Sequence, residues 1–293
     1  MSDAAITAAT QPSQPSSRGL AEEPLQVPPQ VPQWMDTHCH LQLLDDEAAA
    51  VATAAQDGVG LLLCVGIDAK TTEAALVAAH TFPGVWASSG LHPHSASDLA
   101  HEWELLSALA ADPLVVAIGE TGFDFYRDHS PPGVQEEAFR QQIAFAKAQD
   151  KTLIIHSRDA WADTFRVLAD AGPPERFVFH CFSGGPDEAR RAVEMGACLS
   201  FAGPLTYPKN ETLREAARTA PHDRIVVETD APFLPPQGFR GKTCFPAYTA
   251  KTGSVLADVL GLSRAETAAL TTANACRVFR LPELSEVGDG GTV

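Results

Sequence analysis

Eight short apolar runs, separated by longer segments of helical period, limit what this chain can fold into more than any other feature. The runs are VPQWMDTH, GLLLCVGI, VWASSGL, LVVAIGE, TLIIHS, FVFHCF, ACLSFAG and RIVVETD, each of strand length and mostly rich in β-branched or large apolar residues. Between them stand segments such as DDEAAAVATAAQ, KTTEAALVAAH, PGVQEEAFRQQIAFAKAQ and RDAWADTFRVLADAG. Their Ala, Leu, Glu and Gln favour helix, and Gly or Pro often follows. Near-continuous apolar strands joined by helices belong to a parallel sheet covered on both faces. Eight such units within 293 residues match a (β/α)8 TIM barrel, for which roughly 250 residues is typical. An open doubly wound sheet is the alternative, but no GxGxxG opens the first helix, and the chemically useful residues fall at the ends of many strands rather than at one crevice. The expectation is an α/β chain with a single barrel domain.

Composition marks the ends of that domain. Residues 1–33 hold six of the 22 prolines and five glutamines with few large apolar side chains, too little to offset the entropy of ordering, so a disordered leader is expected there. The final LPELSEVGDGGTV is acidic and glycine-rich, which predicts a flexible tail over 282–293 and a folded body over 34–281. No run of about 18 apolar residues offers a membrane span, and the first residues lack the basic start and apolar stretch of an export signal. Six cysteines fall singly, without a CxxC pair, which disfavours a disulfide framework or a zinc ribbon. A cytoplasmic protein with reduced thiols is expected. Of the net charge of −16, the leader carries −2 and the tail −3, leaving −11 on the body. Broad attraction to a phosphate backbone, which needs many lysines and arginines, is thereby excluded; a nucleic acid partner has to be gripped locally.

The strand ends carry the chemistry. In Asp36-Thr37-His38-Cys39-His40 the period of two puts Asp36, His38 and His40 on one face and turns Thr37 and Cys39 away. Glu120 then closes the fourth run, His156 the fifth, His180 the sixth and Asp230 the eighth. On a barrel these groups converge on the carboxyl-end rim, where barrel enzymes work. Four imidazoles and two carboxylates suffice for a two-metal centre, with Glu120 as the expected bridge. Mixed imidazole and carboxylate ligation suits zinc, manganese, iron or nickel, and magnesium during turnover.

These motifs taken together resemble the TatD family of metal-dependent deoxyribonucleases, within the wider amidohydrolase-like barrels. The matching pieces are DTHCHL at 36–41, GLHPH at 90–94, GETGFDFYR at 119–127, QxxxFxxQ at 135–142, IIHSRDA at 154–160, HCFSG at 180–184, ETDAPFL at 228–234, RGK at 240–242 and TTANACRVF at 271–279. The resemblance implies hydrolysis of phosphodiester bonds in DNA, with His38, His40, Glu120, His156, His180 and Asp230 as metal ligands. Other amidohydrolase branches bridge their metals with a carboxylated lysine, which the fourth run here lacks. Family members commonly carry asparagine just after RGK; this chain has Cys244.

The expected cofactors are thus two divalent ions (Zn, Mn or Mg), and the expected catalytic groups are Glu120 and Asp230. A divalent cation lowers the pKa of bound water toward about 7, so attack by metal-bound hydroxide, oriented by Asp230, is the mechanism the sequence suggests. His92, Arg127, Arg158, Arg240 and Lys242 are candidate substrate-binding residues on a local positive rim, with His94 beside them and Phe123, Phe125, Tyr126, Phe182 and Phe239 as candidate stacking surfaces. So little basic surface points to exonuclease action on single-stranded or frayed DNA ends. A dinuclear hydrolase of an ester or amide on the same barrel, resembling a deacylase, is the alternative; a non-catalytic scaffold would need no such ligand set.

Overall fold

The computed structural model describes residues 34–127 and 129–282; the expectations for the leader, and for the tail beyond Pro282, lie outside them. Among the described residues, eight strands and nine α-helices follow one another. The strands are β1 (Trp34–Cys39), β2 (Val59–Val65), β3 (Val85–Ser89), β4 (Val115–Asp124), β5 (Thr152–Arg158), β6 (Phe177–Phe179), β7 (Cys198–Phe201) and β8 (Ile225–Val227). The helices are α1 (Glu47–Gln56), α2 (Ala69–Thr81), α3 (Leu99–Leu109), α4 (Pro132–Ala148), α5 (Trp161–Ala171), α6 (Pro186–Glu194), α7 (Glu211–Thr219), α8 (Thr249–Leu260) and α9 (Arg264–Phe279). Each strand pairs in parallel with the next, in the order one to eight. The expected barrel is the observed one.

Closure between β1 and β8 comes from side chains and isolated contacts rather than a regular ladder. Asp230 N donates to His38 O at 2.9 Å and His40 N to Ala231 O at 2.7 Å. The buried Asp36 carboxylate accepts from Thr229 N at 3.0 Å and from Thr229 Oγ1 at 2.6 Å. Burial pushes the Asp36 carboxyl up to about 7, against those hydrogen bonds. The seam therefore holds the strand ends that carry His38, His40 and Asp230 together by a polar clamp that water does not reach.

Alternation along β2 shows how the core is divided. Leu61, Leu63 and Val65 point inward with Met35, Ala117, Ile154, Val178 and Val226, whereas Leu62 and Cys64 face the helices, as a period of two requires. Val278, Phe279 and Leu281, at the end of α9 and just beyond, belong to the inner cluster. Asn274 Nδ2 ties α9 to β8 through Ile225 O at 2.8 Å. The motif TTANACRVF thus closes the barrel core rather than serving the rim. Helix starts are fixed locally: Asp46 caps α1, and reciprocal capping boxes start α2 at Asp68 and α9 at Ser263, each cap contributing about 1 kcal/mol.

Gly253 shows how closely the helical layer sits on the sheet. A methyl group there would overlap Cζ3 and Cη2 of the fully buried Trp34. Alanine gains about 1 kcal/mol in helix propensity over glycine, whereas overpacking a core costs about 1–3 kcal/mol. Gly253→Ala is therefore expected to lower the urea midpoint, and an unchanged midpoint would show that Trp34 has room to move.

Candidate metal centre

Glu120 is the residue around which the site is built. It lies within β4, not at its end as the sequence reading had it, because the strand continues to Asp124 after an irregularity between Ile118 and Thr121. Gly119 and Gly122 flank it at φ of +126° and +136°, a region that glycine alone enters readily. A Cβ at Gly122 would collide with His156 O. The two glycines thus let β4 lie against β5 while Glu120 turns into the barrel mouth.

The two oxygens of Glu120 face different partners. Oε2 lies 3.4 Å from His38 Nε2 and 4.0 Å from His40 Nε2. Oε1 lies 2.7 Å from both His156 Nδ1 and His180 Nε2. Asp230 Oδ1 completes the first group, 3.8 Å from His38 Nε2 and 3.5 Å from His40 Nε2. The two groups share one carboxylate. All six expected ligands meet at one point of the mouth, although His180 and Asp230 lie just beyond the short β6 and β8 instead of ending them. Asp230 holds a left-handed φ of +61°, a conformation that aspartate tolerates better than most residues.

The outward nitrogens decide what the inward ones can do. His40 Nδ1 donates to Val65 O at 2.8 Å, His156 Nε2 pairs with Asp124 Oδ2 at 3.2 Å, and His180 Nδ1 pairs with Glu228 Oε1 at 3.2 Å. Each such partner fixes the proton on the outer nitrogen and leaves a lone pair facing the centre. Three lone pairs and two carboxylates then share a space in which His156 Nδ1 and His180 Nε2 stand 3.2 Å apart, and His38 Nε2 and His40 Nε2 3.3 Å apart. Such an all-acceptor cluster requires cations or protons, and its donors could hold a metal ion. Without a metal, protons fill the role. Burial opposes charge on His180, but Glu120 and Glu228 outweigh it and raise the pKa well above the usual histidine range. His156 is raised by Asp124 and Glu120, and His40 by Asp230, in each case against burial. Burial also opposes ionisation of Glu120, yet the surrounding imidazoles hold its pKa well below the carboxylate range.

His92 behaves differently. Its Nδ1 accepts from His94 N at 3.1 Å, so in the neutral ring the proton is on Nε2, which faces Glu120 Oε1 at 3.4 Å. Burial lowers its pKa to about 4, leaving a neutral ring turned toward the bridging carboxylate. Of the other expected substrate contacts, Arg127 and Arg158 line the pocket, whose volume is about 540 Å3. Both guanidinium groups lie over Tyr126, Arg158 at 4.0 Å from the ring centroid and Arg127 at 5.8 Å. Arg240 and Lys242 do not line the pocket: Arg240 stacks on Tyr207 at 4.7 Å, and Lys242 lies 6.0 Å from Phe239.

The proposed stacking surfaces divide likewise. Phe123 and Phe182 are core, Phe125 packs partly against it, and Phe239 rests on Tyr248. Tyr126 is 61% exposed at the mouth. Phe233, not singled out from the sequence, is 51% exposed and lines the pocket 6.1 Å from the His40 ring.

Four further residues went unrecognised as parts of the site in the sequence. Asp124 joins His94, at 3.0 Å, to His156, and its backbone N is held by Gln135 Oε1 at 2.9 Å. Gln142 clamps Leu91 N to Thr121 Oγ1, so the two glutamines of QxxxFxxQ brace the loop after β3 and the extension of β4. Glu228, fully buried, orients His180 and also accepts from Cys181 N at 2.7 Å. Cys181, next to His180, also lines the pocket, because β6 ends at Phe179 and a φ of +41° breaks the alternation that would turn it away. Cys39 does turn into the core, and Cys244, at the asparagine position, is buried there as well. Glu228→Gln keeps the shape but removes the charge behind His180. It should weaken metal binding by about 10–100-fold, measured by competition with a chromogenic chelator; unchanged affinity would reduce Glu228 to a packing residue.

A parallel barrel with this cluster at its carboxyl-end mouth fits one class, the metal-dependent hydrolases. The profile of the family described as TatD related DNase matches residues 35–280, and the chain belongs to that family. It is 37% identical to YabD of Bacillus subtilis (strain 168), described as an uncharacterized metal-dependent hydrolase, over 84% of this chain and 98% of the relative. It is 36% identical to the 3'-5' ssDNA/RNA exonuclease TatD of Cronobacter turicensis, over 80% of this chain and 91% of that one. The crystal structure of the TatD homologue YJJV from Escherichia coli K12 superposes with a TM-score of 0.83 at 29% identity, covering 86% of this chain and all of the other. Among the described residues, no helix is long and apolar enough to cross a membrane.

Proposed function

We propose that this protein is an exonuclease that hydrolyses phosphodiester bonds at single-stranded or frayed DNA ends with the help of two divalent cations. The observation that carries the reading is the division of Glu120, one oxygen toward the His38, His40 and Asp230 group and the other toward His156 and His180. Bound there, divalent cations would lower the pKa of water and neutralise charge developing on a phosphate.

The residues of the chain do the rest. Glu120 fixes the spacing of the two groups. Asp230 reaches the mouth with its side chain 13% exposed, positioned to orient the attacking water and accept its proton. Arg127 and Arg158 stand over Tyr126 at the rim, where they meet an entering phosphate, while Tyr126 and Phe233 offer exposed rings to a terminal base. Pockets of roughly 300–1,000 Å3 take ligands of small-molecule size. The pocket of about 540 Å3 accordingly suits a strand end better than a duplex. The naming of the Cronobacter relative as an exonuclease on single-stranded nucleic acid supports this choice. Six free cysteines fit action in a reducing cytoplasm.

Comparison of an end-labelled single strand, a supercoiled circle and a panel of carboxyl esters tests the proposal. Stepwise shortening of the single strand, much faster than nicking of the circle, is expected. Turnover of esters with the oligonucleotide left intact would instead favour the deacylase-like alternative.

A further inference from the structure

A second cavity of about 240 Å3 adjoins the catalytic pocket. It lies between the loop after β6 and the loop after β7, and Cys181, Ser183 and Pro204 line both spaces. Lys209, Ser183 and Thr212 also line it, and their side chains have no hydrogen-bond or ion-pair partner among the described residues. Of the acidic side chains nearby, two are taken up by arginines, while Glu188 keeps its charge and is held by a backbone N–H. Glu188 accepts from Gly185 N, Asp187 pairs with Arg190, and Glu211 is held by Arg214 and Arg218. A second cation lies close by, since Arg240 stacks on Tyr207, two residues before Lys209, and likewise forms no ion pair among the described residues. Two cations without an ion-pair partner among the described residues and two free hydroxyls beside the active site of a chain with net charge −16 suit an anion.

We propose that this cavity is a backbone subsite that binds a phosphate next to the scissile one on the same strand, with Lys209 as its cation and Ser183 and Thr212 as hydroxyl donors. The inference rests on the nuclease reading above and adds to it the direction in which the strand leaves the centre, across Ser183 toward α7. A lysine and hydroxyls recognise phosphate and sugar and carry no base code, so the subsite adds affinity for longer strands without sequence preference. It also gives Arg240, which lies outside the catalytic pocket, a place along the strand.

Lys209 is exposed, so its substitution leaves the core intact. The test compares wild type with Lys209→Glu, Lys209→Ala and Lys209→Arg on a ten-nucleotide single strand and on bis(4-nitrophenyl) phosphate, which has one phosphodiester and no neighbouring phosphate. Lys209→Glu is expected to lower kcat/KM on the decamer about tenfold, with the loss confined to that substrate, and Lys209→Arg to restore most of it. For Lys209→Ala the slope of log(kcat/KM) against log salt should flatten by about 0.7, the value for one phosphate contact on a single strand. Equal losses on both substrates, or no loss on the decamer, would overturn the subsite alone. A wild type that leaves the decamer intact would overturn the nuclease reading and the subsite with it.

Discussion

Glu120→Ala is expected to lower hydrolysis of single-stranded DNA by at least about a thousandfold and to leave less than half of the wild-type metal bound. The size of the effect follows from the shared carboxylate. Both groups of side chains lose their common anion in one change, leaving the inward nitrogens of His156 and His180 without a facing carboxylate and those of His38 and His40 with Asp230 alone. Electrostatic stabilisation by one preorganised group is worth about 10²–10³ in rate, and here two such contributions go together. Glu120→Gln is the informative companion. It keeps the volume and one acceptor, but an amide NH2 would face imidazole lone pairs or their cation, so it should fail nearly as badly. Metal analysis by mass spectrometry, alongside the rate, checks both; activity within tenfold of wild type would remove Glu120 from its central position.

Asp230→Asn should separate chemistry from metal binding. Asparagine tolerates the left-handed backbone at this position, and the pair at His156 and His180 is untouched. The base is gone, however: burial opposes ionisation of Asp230, but His40, His180 and His38 outweigh it and keep the carboxyl below the usual range, ionised across neutral pH, whereas an amide does not accept a proton there. A loss of about 10²–10⁴ in kcat is expected, with KM nearly unchanged and part of the metal retained. A fall in KM-governed binding with kcat intact would make Asp230 a substrate contact instead.

The barrel was legible because its strands obey a period of two and its helices a period of 3.6 residues, patterns set by backbone geometry and visible in any buried segment. The six candidate ligands, which the fold brings together at the mouth, were legible for the same reason, each standing at or near the carboxyl end of a run. Errors began where the period stopped. β4 runs on to Asp124, and counting by twos from Glu120 through Gly122 would have put Asp124 on the same face. The same count from Asp230 leads back to Glu228. Alternation from His180 would turn Cys181 away from the mouth, but β6 is only three residues long and the chain turns before reaching it. Arg240 and Lys242 sit on a loop, where no periodicity tells a side chain which way to point. Their aromatic partners, Tyr207 and Phe239, can be found only in three dimensions.

The most direct measurement of the central claim is a metal titration read by activity. Metal-free protein is mixed with increasing equivalents of manganese, and shortening of an end-labelled single strand is followed at each step, with chelator added at the end. The account predicts no shortening without metal, a rise that saturates at two equivalents per chain, and return to zero with chelator. Protein that holds two equivalents and leaves the strand intact, or that shortens it equally well without metal, would contradict it.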